Sequence, residues 1–421
     1  MDLTDINLSD INLPDINLWD KDRFVEGVPH DWFTALREQA PVFWHEGDPT
    51  FAGPQGGAGP FWAVTGYDDV VTVNRDNATF SSAEQLVFMW DPHMDGLEQQ
   101  RLLMLNMDPP MHTRYRRLIN KGFTPRMVSE LESTMRKRTR DIIDRVAERG
   151  ECDFVVDVAS ELPLQVIADL MGVPQEDRHK LFDWSNRMIG ADDPEYGITE
   201  EMTQHASMEL YAYAAELAEK KRADPKDDLI SVLTHAAVDG EQLTGLEIDL
   251  FFLLLTVAGN ETTRNLISNG LVALLEHPDE LAKVRANREL LPGMVEEMLR
   301  WASPVMHFRR TAMRDVELGG QQIKQGDKVV IWYISANRDE KAFKDPFTFD
   351  VSRTPNEHVA FGGGGPHFCL GANLARMEIN VMFDEILDRL DDLELTAPVS
   401  RLRSNFINGL KHIPLKFTVK R

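Results

Sequence analysis

A mainly α protein with small β-sheets is the fold class this sequence predicts, and three observations predict it. Apolar residues recur at helical spacing through long stretches at 128–149, 201–221, 246–275, 291–301 and 372–390. Strand-like alternation is confined to 61–73 and 316–333, the second broken by turns at Gly319-Gly320 and Gly326-Asp327. No long linker separates these elements, so one domain over 21–421, behind an acidic lead-in at 1–20, is more economical than several.

The lead-in repeats Asp-Ile-Asn-Leu from Asp5, Asp10 and Asp15. That period is far too short for a solenoid or propeller, and the segment reads as an extended strap lying on the surface. Residues 48–60, rich in Gly and Pro, read as a loop. At Asp108-Pro109-Pro110 the acid and the prolines mark a helix start. His112 and Arg116 then lie at i and i+4 on one face. The apolar stretch 250–259 has about ten residues, well short of the ~20 that span a bilayer.

Composition narrows the function classes. The chain carries 45 basic against 69 acidic residues, a net charge of −24. Nucleic acid and anionic membranes are excluded as general partners, because both repel such a surface. One stretch inverts the sign: 111–126 holds five basic residues and no acidic one. Only two cysteines occur, Cys152 and Cys369, which is no disulfide framework. The N-terminus lacks the basic and apolar regions of a signal peptide. A soluble, cytoplasmic protein is expected.

Four constellations carry chemistry. In Phe361-Gly-Gly-Gly-Gly-Pro-His-Phe-Cys369-Leu-Gly371, glycines let backbone approach a ligand closely. No Lys-Ser/Thr follows and dinucleotide spacing is not met, so a phosphate cradle is excluded. Instead Cys369 sits where the loop meets a helix, whose N-terminal amides stabilise a thiolate. A thiolate is the ligand haem iron needs for oxygen activation. Taken alone, a lone cysteine is more often a buried structural residue. The second constellation pairs Glu297 with Arg300 on one helix face, with Arg353 as a third member. By itself such a pair is usually a solvated helix pair. The third, Ala258-Gly-Asn-Glu261-Thr262-Thr263, puts glycine, acid and alcohol inside a helix apolar enough to be buried. Its alternative is a helix stop and restart at Gly259-Asn260. The fourth groups His112, Arg116, Arg310 and His367 as donors suited to a ligand with two carboxylates. Its alternative is four solvated surface cations.

Along the chain, the Asp-Pro-Pro-x-His start, the Ala258–Thr263 helix, the Glu297/Arg300 pair and the Cys369 loop follow one another in an order that resembles the cytochromes P-450, and the resemblance covers nearly the whole chain. Further stretches, among them MLNMDPPMHTRYR, GVPQEDRHKLFDWSN, VAGNETTRN, QIKQGDKVV and FGGGGPHFCLGANLARM, resemble the bacterial steroid side-chain terminal hydroxylases (steroid 26/27-monooxygenases). The best known of these act on cholesterol and cholestenone. The methyl-branched-lipid hydroxylases share much of the pattern.

The resemblance implies the P-450 fold, with haem (heme b, iron protoporphyrin IX) between the 250–275 helix and the Cys369 loop. It implies Cys369 as iron ligand and Glu261 and Thr262 as the acid–alcohol pair that delivers protons during oxygen activation. It implies His112, Arg116, Arg310 and His367 as propionate partners, with Ala258, Phe361 and Gly371 as further cofactor contacts. Glu297, Arg300 and Arg353 resemble the structural triad. The loop has one residue more between Phe361 and Cys369 than the commonest pattern, which bears on how Phe361 packs against the sulfur. The steroid subgroup shares that spacing.

The implied activity is insertion of one dioxygen atom into a terminal C–H bond of a sterol-like lipid. Electrons are expected from NAD(P)H through a separate ferredoxin reductase and ferredoxin, since nothing in the chain binds flavin or nicotinamide. Leu253, Val257, Ala258, Val305 and Phe308 supply apolar walls, and Val257 and Phe308 are the expected substrate contacts. Arg114, Arg117 and Lys121 are the expected docking cations for an acidic ferredoxin. Three rivals remain open: a terpenoid or methyl-branched fatty acid as substrate, a peroxygenase, and a non-catalytic haem protein. The last two do not need an acid–alcohol pair.

Overall fold

The protein is described by a computed structural model covering residues 8, 11–48, 52–53, 56–92, 97–238 and 240–420. Asp5 and Asp10 of the repeat lie outside the described residues, as does the side chain of Lys121.

One long helix, Gly245–Glu276, organises the helical part. Thr244 and Glu247 form a reciprocal capping box at its start, which satisfies two of the amides a helix end leaves orphaned. Its middle is apolar on most sides, so it is buried by partners all round: Glu161–Met171, Glu200–Ala223, Leu291–Ala302 and Ala372–Arg389. Two glycines set how closely those partners approach. A Cβ on Gly259 would stand 2.8 Å from Ile167 Cδ1, and one on Gly270 would stand 2.7 Å from Met298 Sδ. The helix Pro125–Ala147 starts on Thr124, whose side chain accepts from the Met127 amide, and packs against Ala372–Arg389.

The largest sheet has five strands in the order Val42–His45, Phe61–Val64, Lys328–Trp332, His307–Ala312 and Phe80–Ser81. Only the Phe61–Val64/Lys328–Trp332 pair is parallel. The 316–333 reading holds, as Val316–Leu318, Gln321–Ile323 and Lys328–Trp332 with turns between.

Three expectations are corrected. The alternation at 61–73 ends as a strand at Val64, and Tyr67–Arg75 is a helix. Asp68 and Asp69 favour its N-terminus, and the Tyr67 amide donates to Asp339 Oδ2 at 2.8 Å. The 48–60 loop contains two short strands, Ala52–Gly53 and Gly56–Gly57, in one sheet with Asp91–Pro92. The lead-in is not a surface strap throughout, because Ile16, Leu18 and Trp19 are buried in a core with Phe33, Phe61 and Trp332. Large apolar side chains within an otherwise acidic segment drive that docking.

Candidate functional site

Gly362 to Gly365 all take positive φ, from +61° to +105°. A Cβ on Gly365 would fall 2.2 Å from Asn74 O, so only glycine fits there. The loop closes where the Cys369 amide donates to Phe361 O at 2.9 Å. The helix Ala372–Arg389 follows, with Gly371 as N-cap. Burial pushes the Cys369 thiol up, while the Gly371 amide, Arg116 and Arg376 pull against that rise. Phe361 lies under the Arg376 guanidinium, 4.7 Å from it.

In the long helix, the ladder of Gly245–Glu276 runs unbroken through Gly259-Asn260, so the stop-and-restart alternative is wrong. The Thr262 hydroxyl donates to Ala258 O at 2.8 Å, inside a hydrogen-bonded helix. Ala258 is the one exposed residue between Leu250 and Leu275. Glu261 is 1 % exposed; its Oε2 accepts from Arg264, and its Oε1 has no partner. Burial pushes this carboxyl up and Arg264 pulls it partly back.

His112, Arg116, Arg310 and His367 do come together. The His112 and His367 rings lie 4.1 Å apart, and His367 Nε2 pairs with Met107 O. Arg116 donates to Pro366 O at 3.0 Å. Arg310 is buried and donates to Arg309 O and Asn74 Oδ1. Burial lowers His112 to about 4, so it is neutral near pH 7 and offers one N–H.

The triad is fully formed. Glu297 accepts from Arg300 Nε at 2.8 Å and Nη2 at 2.7 Å, and from Arg353 Nε at 3.1 Å. Arg300 and Glu297 are 0 % exposed, which rules out a solvated pair.

Val257 and Phe308 are half-buried. Phe308 packs on Phe406, ring centroids 5.7 Å apart, and Phe88 packs on Phe406 at the same 5.7 Å separation. Phe406 and Phe88 escaped sequence reasoning because neither sits in a motif; the Val305–Ile407 bridge brings the two segments together. Also missed were Arg264 and the Glu296 cluster. Glu296 accepts from Arg376 at 2.6 Å and pairs with His358 at 3.1 Å, tying Leu291–Ala302 to the cysteine helix. Burial works to raise Glu296, but Arg376 and His358 hold it at about 2. The signal available was the adjacent Glu296-Glu297 pair, one acid for each side of the helix.

The family profile for cytochrome P-450 matches residues 55–418. The chain belongs to the cytochrome P-450 family. This P-450 is 47% identical to the steroid C26-monooxygenase of Mycobacterium tuberculosis over 94% of its own length and 91% of that protein's. It is 42% identical to the methyl-branched lipid omega-hydroxylase of the same organism, over 92% of this chain and 90% of that one. Among solved structures, a Mycobacterium marinum cytochrome P-450 in complex with pseudoionone superposes with a TM-score of 0.88 at 40% identity, covering 94% of this chain and 97% of that one. Membership implies a haem-thiolate monooxygenase supplied with electrons by a redox partner.

The residues present fit haem. Among the described residues no carboxylate pairs with Arg310 or Arg116, and the His112 Nδ1 atom is buried without a partner. A buried guanidinium without an anion is costly, and the two propionates of haem would supply anions to this donor set. Among the described residues no helix is long and apolar enough to cross a membrane.

Proposed function

We propose that this P-450 hydroxylates the terminal methyl of a sterol side chain, with cholesterol or cholest-4-en-3-one as the substrate type. The observation that carries this is the 47% identity to a steroid C26-monooxygenase over 94% of the chain. In this reading Cys369 holds the iron, His112, Arg116, Arg310 and His367 hold the propionates, and Ala258, Phe361 and Gly371 border the macrocycle. Haem, when bound, supplies dioxygen activation. Glu297, Arg300 and Arg353 fix the segment that leads into the cysteine loop. Electrons come from NAD(P)H through a reductase and an acidic ferredoxin that docks on Arg114 and Arg117, in the cytoplasm. Both arginines are exposed on the helix Met111–Ile119, the first turns of the basic stretch.

The chain's own part in the chemistry is proton handling. The Thr262 hydroxyl spends its proton on Ala258 O and so presents lone pairs outward, ready to accept. Glu261, with one free carboxylate oxygen, is placed to resupply it. Positioned proton relays contribute about 10²–10⁴-fold. Thr262→Ala is therefore expected to keep substrate affinity while the ratio of product to NADH consumed falls at least about tenfold, the remainder appearing as peroxide. An unchanged ratio would remove Thr262 from the relay.

The substrate assignment is tested by titrating cholest-4-en-3-one, a short-side-chain steroid, a methyl-branched fatty acid and linalool against the haem absorption spectrum. Each methylene buried between Val257, Phe308 and their apolar neighbours contributes about 0.8 kcal/mol, roughly fourfold in affinity. Cholestenone should bind far more tightly than the truncated steroid and be hydroxylated at a terminal methyl. The second reading, a methyl-branched lipid, rests on the 42% identical omega-hydroxylase. Spectral shift and turnover with the fatty acid alone would replace the sterol by it.

A further inference from the structure

We infer that Arg264 is a positioning residue for Glu261, and that through Asn186 it ties proton delivery to the placement of the helix Arg178–Ile189. The inference rests on the relay reading of Glu261 and Thr262 above.

The geometry starts at the carboxylate. Glu261 has one oxygen fixed by Arg264 and one buried oxygen with no partner. A group that takes up a proton and passes it on needs that asymmetry: one oxygen sets the orientation, the other exchanges. The i,i+3 spacing of Glu261 and Arg264 would ordinarily give a solvated helix pair worth little. Here their side chains are 2 % and 6 % exposed, so the pair is sealed from water and its field is barely screened.

Arg264 is in turn held by a second helix. Its Nη1 donates to Asn186 Oδ1 at 3.0 Å, and its guanidinium carbon lies 5.5 Å from the Phe182 ring. Phe182 and Asn186 are four residues apart on Arg178–Ile189, one turn of a single face. Among the described residues, Arg264–Asn186 is the one side-chain hydrogen bond between that helix and Gly245–Glu276. The helix's other side-chain ties to neighbouring helices lead elsewhere, Trp184 and Arg187 to Glu209 on Glu200–Ala223 and Arg178 to Glu161 on Glu161–Met171. A ligand that displaces Arg178–Ile189 therefore moves the guanidinium, and with it the bound oxygen of Glu261.

The groups whose fields reach Glu261 are few. Arg264 acts from its own helix, Tyr196 from the segment after Arg178–Ile189, and the helix Glu161–Met171 faces this turn with apolar Ile167. Removing the Arg264 charge leaves burial unopposed, so the Glu261 carboxyl stays protonated to higher pH.

The test is infrared difference titration of the haem-loaded protein. The protonated carboxyl band of Glu261 is identified by its loss in Glu261→Gln. In Arg264→Met that band should persist at least about one pH unit higher than in the parent, tenfold in proton affinity. Arg264→Lys should restore most of the difference, and Asn186→Ala should move the band the same way by less. The product-to-NADH ratio should shift along pH in parallel. If Arg264→Met does not fold, Asn186→Ala decides. Unmoved bands in the foldable variants, while Glu261→Gln still lowers the ratio, would overturn the inference alone. A ratio unaffected by Glu261→Gln would overturn the relay reading itself.

Discussion

Glu297→Ala is expected to leave little folded, haem-loaded protein. Glu297 takes five donor atoms from four residues at once: Arg300, Arg353, the Asn356 amide group and the Asp350 backbone amide all converge on its two oxygens, Arg300 with two of its nitrogens. Truncation strands Arg300, which is 0 % exposed, and Arg353 beside it with no other carboxylate among the described residues. Breaking a buried pair from one side costs about 3–5 kcal/mol, a large share of the ~5–15 kcal/mol that holds a domain folded. The loss is not local, because Arg300 also donates to Asn337 O, Pro346 O and Thr348 O, gathering the chain that leads to the cysteine loop. The pH dependence has a definite sign. Burial works to raise the Glu297 carboxyl, but Arg300, the Asp350 amide and Arg353 outweigh it and hold it below the usual range. A depressed carboxyl contributes stability above its unfolded value and loses it as pH falls through the folded value, so the triad weakens only below about pH 4. Thermal melting and haem content of Glu297→Ala check this. Melting within about 1 kcal/mol of the parent would mean that the cluster is incidental to stability.

What was legible in the sequence was what local chemistry fixes. The 246–275 stretch is Gly245–Glu276 in the structure because its apolar residues leave no other period, and Thr244 with Glu247 caps it. The glycine run before Cys369 was legible because four consecutive positive φ angles admit nothing else. The 61–73 stretch misled because Val71, Thr72 and Val73 alternate like a strand, yet Val70, Val73 and Asn74 are buried at helical spacing on one face of Tyr67–Arg75. Arg264 was hidden because an i,i+3 pair with Glu261 reads as solvated until burial is known. Phe88 and Phe406 meet only through tertiary folding, 318 residues apart in the chain, and no local pattern announces such a contact. The lead-in misled through its charge: Asp15 and Asp20 are exposed, but Ile16, Leu18 and Trp19 are not.

The central claim is that Cys369, and not Cys152, ligates haem iron as a thiolate. Burial raises both thiols, but what surrounds them differs. Cys152 lies in the strand Glu151–Asp153, paired to Pro414–Val419, and burial with Asp157 nearby raises its thiol to about 12. Cys369 lies at the mouth of the Ala372–Arg389 helix, under the Gly371 amide and near Arg116 and Arg376, where a negative sulfur is favoured once metal replaces its proton. Cys369→Ala should therefore abolish monooxygenation, whereas Cys152→Ala should leave it intact. The most direct measurement is the carbon monoxide difference spectrum of the reduced protein. The parent and Cys152→Ala should show the long-wavelength band that thiolate ligation produces, and Cys369→Ala should lack it. A Cys369→Ala protein that retained that band would contradict the account at its centre.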